Sequence, residues 1–301
     1  MTEPLHRSTT LHPFQYVAAK DVKEVTSLLE HYGDRARCMA GGTDVIVQAR
    51  GGRFDLDAMV DIKAVPEVME LTLSGTGLRL GAATPCYRVY QDDKLRLMYA
   101  GIVEATSIIG GTQIQSRASL GGNLCNASPS ADGIGPLMVH NAVAVVAGPR
   151  GTREVPVGAF CVAPGKNAMT NGEFLLRLEV PAPAAHSGSA YQRFIPRNEM
   201  DIAVVGVAVA VTLDAKGETI ESTHIALAAV GPTPILAKAA GDSLTGKPVT
   251  PENIQVAADL AVAAASPIDD MRGTLDQRRH LVGVLTKRML TKAIERARGA
   301  A

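Results

Sequence analysis

The sequence contains no tryptophan, and only 4% of its 301 residues are aromatic. Surfaces that bind single-stranded nucleic acid usually stack bases on aromatic side chains, so this composition argues against that function. The charge balance points the same way, because 30 Lys and Arg residues match 30 Asp and Glu residues and leave no basic field for a phosphate backbone. We therefore expect no nucleic-acid partner.

Long apolar runs are missing as well. The longest, residues 202–211, is too short for a transmembrane helix, which needs about 20 apolar residues. Residues 1–7 contain no apolar stretch of the kind found in secretory signals. The sequence accordingly predicts a cytoplasmic protein with no membrane span.

Metal-ligand patterns are absent from the sequence. The four cysteines, Cys38, Cys86, Cys125 and Cys161, are not spaced as metal ligands, which predicts reduced and mostly buried thiols. A structural disulfide or an iron–sulfur cluster within the chain is the lesser alternative. The seven histidines form no His-x-x-x-His pair, so we expect no metal site in this chain.

Three common catalytic or phosphate-binding motifs do not occur. The sequence has no Gly-x-Gly-x-x-Gly and no Gly-x-x-x-x-Gly-Lys-Ser/Thr, which removes support for a Rossmann or P-loop mechanism. It also has no Gly-x-Ser-x-Gly elbow. No residue is predicted to be catalytic.

The chain has instead two segments of small residues, Ala40-Gly41-Gly42-Thr43-Asp44 and residues 119–135. Adjacent glycines allow close backbone approach or a positive φ. The first segment lies between a predicted strand at 37–40 and a predicted helix at 43–50, and the N–H groups at a helix start suit a pyrophosphate. From the sequence alone, this first segment is either a phosphate-binding turn or an ordinary strand–helix turn.

The second segment extends a low-bulk stretch that begins at Gly110. A connection of this length without secondary structure of its own is usually functional or disordered. Asp132 within it suits either a local Asx turn or a carboxylate that accepts hydrogen bonds from a ribose or ribityl diol. Further along, Arg193 and Arg197 are typical of surface residues at a domain boundary.

Hydrophobic periodicity predicts the remaining elements. Helices are expected at 21–32, 95–109, 251–265 and 276–298, strands at 58–62, 139–147, 174–180, 203–213 and 220–230, and a hairpin at 69–82. Residues 181–188 are rich in proline and alanine, which predicts a linker. Interleaved helices, strands and hairpins favour an α+β fold over a parallel doubly wound sheet.

Taken together, Ala40-Gly41-Gly42-Thr43-Asp44, Ser119-Leu120-Gly121-Gly122-Asn123 and Asp132 resemble the FAD-binding medium subunit of the molybdenum hydroxylases. This group includes xanthine dehydrogenase, carbon monoxide dehydrogenase and aryl-CoA reductase. The resemblance continues through residues 229–234 and 270–279. It implies an α+β fold, with a two-part FAD-binding domain of the vanillyl-alcohol-oxidase (PCMH) type at 1–183. A small C-terminal α+β domain with an antiparallel sheet would follow at 188–301.

The resemblance also implies how FAD is held. The backbone N–H groups from Gly41 to Val45 would bind the pyrophosphate, and Asp132 would lie on the ribose side. Leu175 would pack at the adenine end, and Arg193 stands where the family has a lysine that faces the flavin. The implied FAD-binding residues are Ala40, Gly41, Gly42, Thr43, Asp44, Val45, Ile109, Gly110, Gly111, Ser119, Gly121, Gly122, Asn123, Ser128, Asp132, Leu175, Arg193 and Ile202.

The function that the resemblance implies is electron transfer within a complex. Electrons would pass from [2Fe–2S] clusters of a small subunit to FAD and then to NAD+, oxygen or a quinone. Substrate chemistry would take place on a large molybdopterin subunit, in a heterotrimer or its dimer. The cysteine-bearing insert of aryl-CoA reductases is absent. Two other hypotheses are a self-contained flavin oxidase or dehydrogenase on the same fold, and a scaffold subunit that has lost its cofactor.

Overall fold

The computed structural model describes residues 11–299 and contains three sheets, one short two-stranded ribbon and the helices that pack on them. The predicted α+β class is confirmed, because short helices alternate with mostly antiparallel strands. Residues 1–7, where we expected no secretory signal, lie outside the described residues. Below, residues 11–181 are called the N-terminal region and residues 187–299 the C-terminal region.

The N-terminal region contains most of the elements. Its strands are β1 (Gln15–Ala18), β2 (Ala36–Met39), β3 (Ala58–Asp61), β4 (Leu71–Ser74), β5 (Gly77–Gly81), β6 (Val143–Gly148), β7 (Gly151–Pro156), β8 (Cys161–Ala163), β9 (Lys166–Asn167) and β10 (Phe174–Pro181). Its α-helices are α1 (Val22–Tyr32), α2 (Val45–Arg50), α3 (Cys86–Tyr90), α4 (Asp93–Met98), α5 (Ala100–Thr106), α6 (Thr112–Gln115), α7 (Leu120–Asn126), α8 (Ile134–Val139) and α9 (Val157–Phe160). Short 3-10 helices span Gly33–Arg35 and Pro66–Met69.

Two sheets organise the N-terminal region. β1, β3 and β2 form a parallel sheet in that order, and the central strand β3 is buried along its whole length. Strands β4, β5, β10, β6 and β7 form an antiparallel sheet in that order, while β8 and β9 form the small ribbon. The two sheets are the two parts of an α+β unit, and residues 62–70 connect β3 of the first sheet to β4 of the second.

The C-terminal region is one antiparallel sheet with helices on it. Its elements are β11 (Ser187–Phe194), β12 (Val205–Leu213), β13 (Ile220–Ala228), β14 (Ile235–Leu236), α10 (Lys238–Asp242), α11 (Pro251–Ala264) and α12 (Leu275–Ala297). Alternate residues of β12 face opposite ways: Val207 and Val209 belong to the core under α12, and Ala208 belongs to the core of the N-terminal region. The sheet is therefore covered on both faces.

Charged side chains join the two regions beside this sheet. Glu104 of α5 accepts hydrogen bonds from Lys292 Nζ at 2.6 Å, from Arg296 Nη2 at 2.7 Å and from the backbone N–H of Tyr191 at 2.8 Å. Burial alone would raise the pKa of Glu104, but the hydrogen bonds from Arg296 and Lys292 outweigh it and the pKa is lowered. The carboxylate thus stays charged and holds α12 against α5.

Several element predictions are confirmed, and three are wrong. The expected helices at 21–32, 251–265 and 276–298 and the hairpin at 69–82 are present within a few residues. The expected helix at 95–109 is two helices, because Tyr99 leaves helical geometry at φ −132°. The strand expected from residue 139 begins at 143, and the stretch expected to lack secondary structure contains α6 and α7.

A partly buried histidine lies where the two regions meet. His140 packs its ring edge-on against Tyr99, with centroids 5.3 Å apart, and lines a cavity of about 150 Å³ together with His224. Burial, with a smaller contribution from His224, lowers the pKa of His140 to about 4. In the unfolded chain the same imidazole has a pKa of about 6.5. Between pH about 4 and about 6.5 it is therefore neutral in the folded protein and protonated in the unfolded chain.

We expect this difference to destabilise the fold in acid. Above pH about 6.5 the imidazole is neutral in both states, and as the pH falls towards 4 only the unfolded chain binds the proton. The loss amounts to about 3 kcal/mol, since each pKa unit is worth about 1.4 kcal/mol. Urea unfolding at several pH values should show a shallower loss of stability for His140→Leu than for the wild type. Equal slopes of unfolding free energy against pH for the two proteins would contradict the lowered pKa of His140.

Candidate functional site

The two small-residue segments line one cavity of about 1080 Å³. This volume is at the upper end of the range for small-molecule and cofactor sites. The predicted binding residues that line it are Ala40, Gly41, Gly42, Thr43, Asp44, Val45, Ile109, Gly110, Ser119, Gly121, Gly122, Asn123, Ser128, Asp132, Leu175, Arg193 and Ile202. Gly111 is outside the lining and packs against Met200, which is part of it.

Two glycines bring the walls of the cavity together. A Cβ atom on Gly41 would lie 1.9 Å from the carbonyl oxygen of Arg117, and one on Gly121 would lie 2.3 Å from that of Ala82. Both separations are far inside van der Waals contact, so no other residue fits at either position without moving the backbone. Gly122 differs, because its Cβ would meet only Ser119 Oγ at 3.2 Å and would otherwise extend into open space.

The first segment presents unpaired N–H groups to the cavity. Across residues 11–299, no protein acceptor takes up the N–H groups of Gly41, Gly42, Thr43, Asp44 or Val45, whereas the next residue donates to the carbonyl of Gly42 at 3.3 Å. Successive unpaired N–H groups in a tight turn form an anion-binding concavity. The cavity wall therefore has the donors that phosphate oxygens require.

A lysine holds the start of this segment in place. Lys63 Nζ donates to the carbonyl of Ala40 at 2.9 Å and to Asp61 Oδ1 at 2.6 Å, and Asp61 also accepts from the Tyr16 hydroxyl at 2.5 Å. Sequence reasoning missed Lys63. Its position after β3 could have indicated this role, because the parallel register pairs Met39 of β2 with Asp61 of β3. The residues that follow the two strands therefore lie side by side.

The second segment is helical where it meets the cavity. Ser119 is the N-cap of α7, and its hydroxyl accepts from the Gly122 N–H at 3.1 Å. The far end of α7 is linked to α2, since Gln48 Nε2 donates to Asn126 Oδ1 at 2.8 Å across the cavity wall. The helix that follows the first glycine pair and the helix that contains the second are thus connected directly.

A buried ion pair closes one end of the cavity. Arg193 and Asp132 are bonded through Nη1 and Oδ2, with side chains only 7% and 8% exposed. Tyr191 donates its hydroxyl to the other carboxylate oxygen at 2.7 Å, and Arg193 Nη2 donates to the carbonyl of Ile108 at 2.9 Å. Burial raises the pKa of Asp132 to about 6, against the opposing effect of Arg193.

This arrangement corrects two expectations from the sequence. Asp132 does not form an Asx turn, because both of its oxygens are bonded to side chains about sixty residues further along the chain. Arg193 is not a surface residue, whereas Arg197 is, with a side chain 70% exposed. Ile202 lies at the mouth of the cavity and is 46% exposed, while Leu175 is buried in its wall.

The cysteines are less buried than the sequence suggested. Only Cys86 is fully buried, while Cys38, Cys125 and Cys161 keep part of their surface accessible. Cys38 and Cys125 line the cavity. Burial still raises the pKa of Cys38 to about 12, which leaves that thiol protonated at neutral pH.

The described part of the chain shows neither a candidate metal site nor a candidate membrane-spanning helix. Residues 11–299 contain no group of three or more His, Cys, Asp or Glu side chains that could hold a metal ion. No helix in the same range is long and apolar enough to cross a membrane.

The fold and the donor set together define a class of protein that binds a phosphate-bearing cofactor between two parts of an α+β unit. Comparison with known families makes the class specific. Residues 12–183 match the FAD binding domain in molybdopterin dehydrogenase, and residues 190–293 match the CO dehydrogenase flavoprotein C-terminal domain.

Individual relatives agree over nearly their whole length. The xanthine dehydrogenase FAD-binding subunit of Escherichia coli O157:H7 is 30% identical over 88% of this chain and 91% of its own. The carbon monoxide dehydrogenase medium chain of Hydrogenophaga pseudoflava is 29% identical over 93% of this chain and 96% of its own.

Solved structures show the same likeness. A carbon monoxide dehydrogenase structure from Hydrogenophaga pseudoflava superposes with a TM-score of 0.90 at 30% identity, covering 95% of this chain and 99% of that one. Quinoline 2-oxidoreductase from Pseudomonas putida gives 0.87 at 27% identity, covering 97% and 99%.

The chain belongs to the family of FAD-binding subunits of molybdopterin dehydrogenases and is a flavoprotein subunit of an oxidoreductase. The resemblance found in the sequence is confirmed. So is the expected fold, a PCMH-type FAD-binding unit with a C-terminal α+β part built on an antiparallel sheet.

The ion pair gives a stability prediction. Asp132→Asn leaves the buried Arg193 guanidinium without a counter-charge, which should destabilise the chain by about 3–5 kcal/mol. The double variant Asp132→Asn/Arg193→Met removes both charges and should regain most of that loss. Urea unfolding of the three proteins measures both differences. A double variant no more stable than Asp132→Asn would contradict the assigned coupling.

Proposed function

We propose that this chain is the electron-transfer subunit of a molybdenum hydroxylase complex. It receives electrons from the [2Fe–2S] clusters of a small iron–sulfur subunit and passes them to NAD+, oxygen or a quinone. Substrate chemistry takes place on a large subunit that carries molybdopterin. The three chains form a heterotrimer or its dimer in the cytoplasm.

One observation carries the proposal. Both glycine pairs line a single cavity, and the first presents a row of N–H groups that no described residue accepts. That donor set matches a pyrophosphate, and the same cavity is lined by Arg193, by both glycine pairs and by Leu175. A preformed cavity with such a donor row has no evident use in a scaffold subunit.

The residues of the chain divide the binding between them. The N–H groups of residues 41–45 would hold the pyrophosphate, and Ile109, Gly110, Ser119 and residues 121–123 would contact the flavin and its phosphates. Gly111, also expected there, lies behind this lining. Ile202 would lie over the ring system, and Leu175 would pack at the adenine end. Asp132 would lie on the ribose side, and its ion pair with Arg193 would hold that guanidinium towards the flavin.

Bound FAD would supply electron transfer in single or paired steps, and the protein contributes binding, orientation and electrostatic environment. The chain is proposed to divide into an FAD-binding domain at 1–183 and a C-terminal domain at 188–301. The relatives named above as a medium chain and as an FAD-binding subunit support a place in a larger assembly.

Purification tests the proposal directly. The chain, expressed with the genes beside its own, should be yellow, release FAD on denaturation, and elute with two further chains that contain iron–sulfur clusters and molybdopterin. A folded chain that shows no flavin absorbance, even after incubation with FAD, would refute the binding function. Substrate turnover by the isolated chain would favour a self-contained oxidase instead.

The role of Gly122 can be tested separately. In Gly122→Val the side chain would extend into the cavity, so we expect FAD retention to be lost while the fold is kept. Gly75→Val is the matched control, because a Cβ at Gly75 meets nothing within 4 Å and Gly75 lies outside the cavity lining. Flavin content per folded protein is the measurement. Wild-type flavin content in Gly122→Val would refute the role.

A further inference from the structure

A buried arginine near the start of α12 bonds to two backbone segments that lead into the cavity. Arg278 has a side chain only 4% exposed, and residues 270–279 contribute nothing to the cavity lining. Its Nη2 donates to Asp270 Oδ1 at 2.7 Å. Its Nη1 donates to the backbone carbonyls of Val204 and Ala229 at 2.7 and 2.9 Å. One guanidinium thus joins three separate parts of the C-terminal region.

The Val204 carbonyl lies beside one wall of the cavity. Val204 directly follows residues 202–203, which line the cavity, and its own N–H donates to the carbonyl of Phe194 at 2.9 Å. Phe194 comes directly after Arg193 in β11. Arg278 therefore bonds to the backbone at the point where the 202–203 wall meets the strand that carries Arg193.

The Ala229 carbonyl connects Arg278 to a second wall. Ala229 has a backbone φ of +65°, in the left-handed region that alanine rarely adopts. Its N–H donates to the carbonyl of Pro129 at 2.7 Å, and Ser128 and Ser130 on either side of Pro129 line the cavity. A backbone conformation of this kind persists only where its surroundings hold it, and here hydrogen bonds hold both the N–H and the carbonyl.

Asp270 fixes the direction of the guanidinium. Its Oδ1 also accepts from the N–H of Arg272 at 2.8 Å, and the backbones of Asp270 and Gly273 bond to each other in both directions at 3.2 Å. A Cβ on Gly273 would lie 3.2 Å from Val204 Cγ1, so this turn packs against a residue that Arg278 also bonds. A planar guanidinium reaches all three oxygens in one fixed geometry, which a lysine ammonium does not reproduce.

The row of N–H groups at residues 41–45 is held by different contacts. Lys63 donates to the carbonyl of Ala40, and Gly41 packs against the carbonyl of Arg117. Neither contact involves α12 or the turn at 270–273. The pyrophosphate-binding segment and the two walls at 202–203 and 128–130 are therefore positioned separately.

We propose that Arg278 is a positioning residue for the flavin-binding walls of the cavity. It acts through the carbonyls of Val204 and Ala229, which set the places of residues 202–203 and 128–130. Without these bonds the two walls would adopt other arrangements, and FAD would bind more weakly in proportion to the fraction of chains that remain competent to bind it. This inference rests on the proposed function, because the flavin contacts of these walls are part of that proposal.

The test uses the full chain after removal of bound flavin, with dissociation constants measured for FAD and for ADP, which lacks the flavin. Arg278→Met keeps most of the side-chain volume and removes every donor. It should raise the dissociation constant of FAD about tenfold, as when the competent fraction falls to about a tenth, and leave that of ADP unchanged. At saturating FAD the visible absorption spectrum of the bound flavin should also differ from that of the wild type. A residue with only a structural role would weaken both ligands or neither.

Two further variants sharpen the comparison. Arg278→Lys keeps a positive charge beside Asp270 but cannot bond both carbonyls, so its dissociation constant for FAD should lie between those of Arg278→Met and the wild type. Where Arg278→Met does not fold, Arg278→Lys provides the same comparison of FAD with ADP. Arg272→Met is the matched control and should bind FAD as the wild type does, since Arg272 faces the same carboxylate at 3.9 Å while the two carbonyls are bonded by Arg278.

The inference is overturned if the folded Arg278 variants bind FAD as tightly as the wild type, or if ADP is weakened as much as FAD. It is also overturned if Arg272→Met weakens FAD as much as Arg278→Met, or if neither Arg278 variant folds. A wild-type chain with no affinity for FAD would instead refute the proposed function.

Discussion

The contact between the backbone at Gly41 and the carbonyl oxygen of Arg117 is the constraint on which the cavity depends. These segments are more than seventy residues apart in sequence, and they share one wall only because Gly41 has no side chain. Lys63 holds the neighbouring carbonyl of Ala40 from the other side. The N–H groups of residues 41–45 are therefore fixed in position before any ligand binds, which reduces the entropic cost of ordering them on binding.

A second constraint ties the cavity to the C-terminal region. Strand β11 carries both Tyr191 and Arg193, whose side chains bond to Asp132 in the cavity wall. The backbone of Tyr191 bonds to Glu104, which also accepts from Arg296 of α12. The C-terminal region is therefore not an independent appendage, because it supplies one end of the site and is held there by buried charges.

Sequence reasoning found the fold and the glycine-rich part of the cavity lining for a definite reason. Glycine pairs and the small polar residues around them leave a local signature, and so do the amphipathic spacing of α1 and the alanine- and valine-rich strand β12. The partners of Asp132 leave none, because Tyr191 and Arg193 are about sixty residues away and nothing local shows that they face it. Tyr99 broke a predicted helix although its apolar neighbours kept helical spacing, since periodicity does not report a single backbone angle.

The distribution of charge along the cavity bears on which way round a dinucleotide binds. A row of backbone N–H groups attracts a pyrophosphate equally well in either direction, so it cannot set the orientation. The two ends differ: Arg193 is neutralised by Asp132, and Arg37 and Arg53 have no carboxylate partner in the described chain. Arginine suits the first position because its planar fork reaches Asp132 and the Ile108 carbonyl together, which a lysine ammonium on a flexible stem does less well. The two ends of the cavity therefore offer a bound dinucleotide different charges, which the row of N–H groups alone does not.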